Sequence, residues 1–372
     1  MCELLSNNGE KHEINISRRA LTILPRDLFH GLENLQLQEL DIGDNNLTTL
    51  PKDIFDPLDD LRTLRINYNE LQYLESSIFY ELLQLKELNL RNNKLIILSK
   101  DIFNGLQDLC VLNLSCNQLS YLEPGIFDDL LSLNDLDIMG NSLTTLPKDI
   151  FRNLKELRYL NLRRNELNNL ESGCFNGLEN LSSLNLDSNK LQNLESGCFN
   201  GLSKLRKLHI SRNSLATFPE GLSNGLESLQ RLYLCSNKLQ HLESGYFNSF
   251  SRLEKLELGC NSLTTLSKDV FKGLESLKIL DLYTNKLQHL EPGCFNGLSR
   301  LEVLDIGCNN LTILSKGVFN DLESLRTLFL FSNEFTSFSE DIFNGLSKSL
   351  SSLLRSAFYQ ILRDSMSAKK KS

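Results

Sequence analysis

Five His and nine Cys are the residues of this chain best suited to acid–base, nucleophilic or metal chemistry, and their spacing argues against catalysis. No G-x-S-x-G elbow, Walker A loop, H-E-x-x-H pair or C-x-x-C pair occurs. His241 and His289 share the context Leu-Gln-His-Leu-Glu, 48 residues apart, which reads as duplication and not as a shared metal site. No neighbouring Ser or carboxylate is arranged to make His209 a base. Cys174, Cys198 and Cys294 stand where Ile or Val precedes a recurring Phe elsewhere, and so read as small buried hydrophobes. Cys116, Cys235, Cys260 and Cys308 read as free surface thiols. No cofactor or metal ligand set emerges. The formal net charge of −8, from 39 Lys and Arg against 47 Asp and Glu, argues against a nucleic-acid partner, which needs a concentrated basic surface. N-x-S/T sequons at Asn15, Asn46, Asn113, Asn180 and Asn310 are expected by chance in a chain this rich in Asn and Ser.

The elements that would position these side chains come from one repeated unit. An Asn recurs every 24 residues, at Asn45, Asn69, Asn93, Asn117, Asn141, Asn165, Asn189, Asn213, Asn237, Asn261, Asn285, Asn309 and Asn333. A period of this size marks a repeat array. Around it the pattern reads L-x-x-L-x-L-x-x-N-x-L-x-x-L, followed by an apolar-Phe pair and L-x-x-L. The Leu-x-Leu alternation predicts a short half-buried strand in each repeat, and successive parallel strands stand about 4.8 Å apart. The Asn turns inward at the strand end, where it satisfies backbone groups that the turn leaves unpaired. The Phe, recurring from Phe29 to Phe343, fills the opposite and wider side. Ser223 replaces it once, which predicts a local looseness or kink.

Thirteen in-register copies of this pattern resemble the leucine-rich repeat in its typical 24-residue form, the form found in Toll-like receptor ectodomains, Slit and the lamprey variable lymphocyte receptors. The resemblance covers roughly residues 14 to 346. It implies an α/β solenoid: a curved horseshoe with a parallel concave β-sheet, an irregular or short-helical convex side carrying a Phe spine, and a C-terminal capping helix. The stacked Asn residues would form a ladder. By the same resemblance the chain looks like a recognition domain of an extracellular or cell-surface receptor in innate immunity, adhesion or guidance. Extracellular members usually carry Cys-rich caps, whereas this sequence has one Cys near its start and none after Cys308. Its first ten residues lack a basic and then apolar leader. An intracellular scaffold or adaptor is therefore the alternative reading.

In order along the chain, residues 1–12 read as a poorly ordered polar segment and residues 13–346 as a solenoid of about 14 repeats. Residues 347–365 read as an amphipathic helix, with Leu350, Leu353, Leu354, Phe358, Ile361 and Leu362 on one face, covering the last repeat. Residues 366–372 are a basic tail. The first repeat carries Arg19 in place of the Asn, and two extra residues in Leu35-Gln-Leu-Gln38 precede strict register. No run of 18 apolar residues occurs, so no spanning helix is expected.

The variable residues six, four, two and one positions before each Asn would line the concave face, and a rigid strand array presents them preorganised. Asp135 and Asp137 precede Tyr159, Arg163 and Arg164 in the next repeat. A basic block follows in Lys207, His209, Arg212, Arg231 and Lys255, and then aromatic residues in Tyr233, Tyr283, Phe329 and Phe331. Exposed Tyr and Phe with Arg nearby is the composition of a protein-binding hot spot. These eleven residues, from Arg163 to Phe331 without the two Asp and Tyr159, are the candidate contact set for a protein ligand, with glycan or lipid as alternatives.

Overall fold

The computed structural model describes residues 5–8, 11–32, 35–218, 221–336, 340–344, 346 and 350. They fall into two compact units, Met1–Leu191 with Gly197–Leu205 and Gln192–Ser196 with Arg206–Ser372. The fold is a parallel-strand solenoid, built in the same way in each unit.

The first unit contains β1 (Leu5–Asn8), β2 (Lys11–Asn15), β3 (Leu37–Asp41), β4 (Thr63–Arg65), β5 (Glu87–Asn89), β6 (Val111–Asn113), β7 (Asp135–Asp137), β8 (Tyr159–Asn161) and β9 (Ser183–Asn185). β1 and β2 pair antiparallel. The polar segment over residues 1–12, expected to be poorly ordered, thus contributes strand at Leu5–Asn8 and from Lys11. From β2 onward each strand is parallel to the next, with partners 24 residues apart from β3 onward. The extra residues before β3 appear as a register shift at His12/Glu13.

The second unit contains β10 (Lys207–His209), β11 (Arg231–Tyr233), β12 (Lys255–Glu257), β13 (Thr265–Leu266), β14 (Ile279–Asp281), β15 (His289–Leu290), β16 (Val303–Asp305) and β17 (Thr327–Phe329). β10, β11, β12, β14, β16 and β17 form one parallel ladder. β13 and β15 pair separately on the return segments. Those return segments are turns, and a short 3-10 turn spans Glu340–Phe343. Among the described residues no helix is long and apolar enough to cross a membrane. The proposed capping helix at 347–365 and the tail at 366–372 fall almost wholly outside the described residues.

The inward leucines of the repeat pattern are buried, most of them to near-zero exposure, and the Phe rings stack behind them. In the first unit Phe103, Phe127, Phe151, Phe175 and Phe199 follow one another at 6.0–6.4 Å between centroids. In the second, Phe247, Phe271, Phe295, Phe319 and Phe343 do the same at 5.9–6.3 Å. Where Ser223 replaces Phe, a cavity of about 430 Å³ opens, lined by Phe218, Ser223, Glu243 and Tyr246 among others. Phe218 meets Tyr246 edge-on at 5.5 Å, so neighbouring rings reorganise around the small residue.

The repeat Asn residues are buried from Asn45 to Asn309 and bond across repeats. Asn93 is representative. Its Nδ2 donates to Leu90 O of its own repeat at 3.1 Å and to Ile66 O of the preceding one at 3.0 Å. Its Oδ1 accepts from Leu71 N–H at 3.1 Å. Arg19, in the Asn position of the first repeat, is exposed, because its cation could not accept in that slot. Asn45 compensates by accepting from both Arg19 N–H and Leu21 N–H at 3.0 Å. The residue before each ladder Asn adopts a left-handed backbone, including Tyr68 (φ 54), Arg164 (φ 55) and β-branched Thr284 (φ 53). This conformation is costly for non-glycine residues.

Asn285 tests the ladder. Asn285→Ala removes bonds to Leu258 O, Leu282 O and Leu263 N–H; the two carbonyls keep Asn261 and Asn309 as donors, and the buried Leu263 N–H is orphaned. The unfolding free energy should fall by about 3 kcal/mol, read from the urea midpoint. A change within 0.5 kcal/mol, about the scatter of surface substitutions, would mean that water replaces the amide.

Candidate recognition face

The parallel ladder sets side chains in columns on the solvent side of each sheet. In the second unit one column runs Lys207, Arg231, Lys255, Ile279, Val303, Thr327, and the next runs His209, Tyr233, Glu257, Asp281, Asp305, Phe329. The second column, four residues before each ladder Asn, has a structural rule. An Asp or Asn there accepts from the N–H two residues on. Examples are Asp41 to Gly43 at 2.8 Å, Asn89 to Arg91 at 3.0 Å, Asn113 to Ser115 at 2.9 Å, Asp137 to Met139 at 2.9 Å, Asp281 to Tyr283 at 2.8 Å and Asp305 to Gly307 at 2.9 Å. Asn161 and Asn185 bond likewise. Arg65, His209, Tyr233, Glu257 and Phe329 break the rule. Three of the five lie on consecutive strands of the second unit.

Those three carry the densest chemistry of the face. The His209 and Tyr233 rings stack at 4.2 Å and 13°. Lys255 Nζ lies 5.4 Å from the Tyr233 centroid and 2.7 Å from Glu257 Oε1. Within the basic block Lys255 is set apart by this pairing. Its charge is matched by Glu257, whose hydrogen bond raises the Lys255 pKa, so it anchors the sheet surface more than it attracts a ligand. Lys207, Arg212 and Arg231 are exposed, and no carboxylate among the described residues forms an ion pair with them. At the far end of the unit Phe329 and Phe331 are 41% and 52% exposed. Phe331 contacts Tyr283 at 5.9 Å and Phe329 at 6.2 Å.

Arg163 and Arg164 belong to the first unit. Arg163 is half-buried and Arg164 exposed, and neither forms an ion pair with Asp135 or Asp137 among the described residues. Arg163 Nε is buried without a hydrogen-bond partner. Arg65 in the same unit is flanked by Glu39 and Glu87, each at 3.5 Å, so its charge is matched within the sheet surface.

Sequence spacing alone missed one cluster. Cys235, Glu257 and Asp281 bring ligand-capable atoms within 4.8 Å of one another. Cys235 donates to Glu257 Oε2 at 3.5 Å. Burial, then the charges of Glu257 and Asp281, push the Cys235 thiol up to about 12. Burial also raises the Asp281 carboxyl, and Asp305 and Glu257 add repulsion, while the Tyr283 N–H partly offsets both. The 24-residue step from Glu257 to Asp281 was readable, but the approach of a thiol from the adjoining column was not. Cys174, Cys198 and Cys294 are buried at 0–2% exposure. Cys260 is exposed and Cys116 and Cys308 are half-buried, all as free thiols.

A family model described as leucine rich repeat matches residues 36–95, 83–143, 131–191, 179–239, 227–287 and 276–335. No curated protein sequence matches the chain. Among solved structures the chain is similar to TLR13 in its complex with ssRNA13, at 29% identity and TM-score 0.78, covering 87% of this chain and 47% of that one. It is also similar to a leucine-rich repeat protein of Leptospira interrogans, at 27% identity and TM-score 0.69, covering 96% of each chain. Drosophila Toll in complex with Spatzle is 25% identical with TM-score 0.73, covering 87% of this chain and 48% of that one. The chain therefore spans about half the length of the TLR13 and Toll chains.

Two outcomes test the electrostatics. Asp137 has a native pKa raised by burial, so the folded state holds its proton more tightly than the unfolded one, and stability falls as pH rises through the native value. Asp137→Asn keeps an acceptor for Met139 N–H, as Asn161 shows for Arg163. Its melting temperature should exceed wild type at neutral pH, with the gain shrinking toward acidic pH; a pH-independent difference would contradict this. Alkylation by iodoacetamide at pH 8 should modify Cys260 well before Cys235, read by peptide mass spectrometry, because the thiolate is the nucleophile.

Proposed function

This chain belongs to the leucine-rich repeat family, and from that premise we propose that it is a non-catalytic recognition module binding a protein partner on the strand face of its second unit. The family and fold are typically protein-interaction modules without enzymatic activity. The observation that carries the reading is the break in the capping rule at His209, Tyr233 and Glu257, beside the exposed cations Lys207, Arg212 and Arg231, which have no ion pair among the described residues. Three consecutive repeats give up a backbone-satisfying Asp or Asn, and the stacked His209–Tyr233 pair stands beside adjacent positive charges. A partner with carboxylates next to an apolar anchor complements this surface, since charge complementarity sets orientation and stacked aromatics supply contact area. Tyr283, Phe329 and Phe331 extend the contact as its apolar end. Arg163 and Arg164 serve a separate contact on the first unit.

The likeness to Toll and TLR13 supports a receptor-like role in recognition at the cell surface, in innate immunity or adhesion. The free thiols at Cys116, Cys260 and Cys308 favour a second reading, an intracellular scaffold using the same face.

The deciding experiment compares wild type with Lys207→Glu/Arg231→Glu as bait, with circular dichroism showing that both fold. A specific partner retained by wild type should bind the double variant at least tenfold more weakly, a loss of about 1.4 kcal/mol or more. Equal recovery would remove the basic patch from the site and overturn the proposal.

A further inference from the structure

We propose that Cys235, Glu257 and Asp281 form a binding site for a thiophilic divalent cation of the zinc type on the strand face of the second unit. Cys235 follows β11, Glu257 ends β12 and Asp281 ends β14, so three successive strands of one hydrogen-bonded ladder supply one ligand each. Their ligand atoms lie within 4.8 Å of one another. The Cys235 Sγ to Glu257 Oε2 separation is 3.5 Å. A tetrahedral ion with a metal–sulfur bond of about 2.3 Å and a metal–oxygen bond of about 2.0 Å sets the two ligand atoms about 3.5 Å apart. That edge is already formed, and an Asp281 carboxylate oxygen lies within 4.8 Å of both atoms.

Groups outside the cluster orient both carboxylates, as the outer partners of metal ligands do. Lys255 Nζ holds Glu257 Oε1 at 2.7 Å, leaving Oε2 toward the sulfur. The Tyr283 N–H holds Asp281 Oδ1 at 2.8 Å. Position 259 between them is glycine, and a Cβ there would stand 3.1 Å from Asp281 Oδ2, so the missing side chain keeps the approach open. The local charge asks for a cation as well: Glu257, Asp281 and Asp305 follow one another down one column with Lys255 as their paired base.

A sulfur ligand selects zinc, cadmium or a similar ion over magnesium and calcium, which take oxygen. As the Sγ–metal bond forms, the Sγ–H bond breaks and its proton passes to water, with no change of oxidation state. Three protein ligands leave a fourth position open on the strand face.

The test needs no partner, so it stands apart from the recognition proposal. The reduced 372-residue chain, stripped with chelator, is titrated with cadmium while thiolate-to-cadmium absorption is recorded, and with zinc by calorimetry. Wild type should bind one equivalent at this site, with magnesium in excess failing to compete. Cys235→Ser should abolish the absorption from that equivalent, and Asp281→Asn, which keeps an acceptor for Tyr283 N–H, should weaken zinc about tenfold or more. Cys260→Ser should bind as wild type does, and circular dichroism reports the fold of each variant. Absence of saturable binding, wild-type affinity in Cys235→Ser, or equal losses in Cys235→Ser and Cys260→Ser would overturn the site.

Discussion

Every repeat after the first depends on one side-chain amide, buried from Asn45 to Asn309. The ladder Asn joins its own strand end to a carbonyl of the preceding repeat and accepts an N–H from that repeat, as Asn117 does with Leu114 O, Leu90 O and Leu95 N–H. The carbonyls are shared with the Asn of the neighbouring repeats, Leu90 O with Asn93 and Leu114 O with Asn141, but the Leu95 N–H would be buried and unpaired, and an orphaned polar group costs more than a formed bond gains. The ladder also explains why residues as unsuited to left-handed backbone as Tyr68, Arg164 and Thr284 adopt it: the bonds on either side over-determine the turn. Hydrophobic burial drives the stacking, and the amides set its register.

With the turn held this way, the strand face is free to vary. Most repeats still spend the position four before the Asn on a second cap, through Asp or Asn. His209, Tyr233 and Glu257 depart from that use together, and their side chains instead stack with each other, pair with Lys255 and meet Cys235. Departures from a local rule gather at functional sites when the surrounding scaffold can carry the cost. The adjoining Phe ladder shows the same tolerance on the other side. Ser223 leaves a cavity, yet Phe218 and Phe250 remain buried and Phe218 turns its contact to Tyr246.

Charge on the face follows neighbour relations that cross repeats. Lys207, Arg231 and Lys255 share one column, but Glu257 claims Lys255, so three exposed cations, Lys207, Arg212 and Arg231, remain beside the aromatic stack. In the first unit Arg65 sits between Glu39 and Glu87, and the same residue type there closes a network. Arg at a repeated position is thus attractive to a partner or internally matched according to what stands 24 residues away.

The sequence by itself determined the repeat, its strands, the buried Leu, Phe and Asn positions, and the burial of Cys174, Cys198 and Cys294. A strict period repeated thirteen times leaves one way to bury every apolar face, so periodicity and burial coincide. It also marked Ser223 as the gap in the spine. Tertiary structure alone decided the pairing of Lys255 with Glu257, the His209–Tyr233 stack, the strand pairing of Leu5–Asn8, and the meeting of Cys235 with Glu257 and Asp281. Spacing of 24 states which residues share a column, but not which rotamer each adopts or which way a long side chain reaches. Those choices are set by short-range charge, ring contact and the room left by Gly259, which exist only once the strands stand side by side.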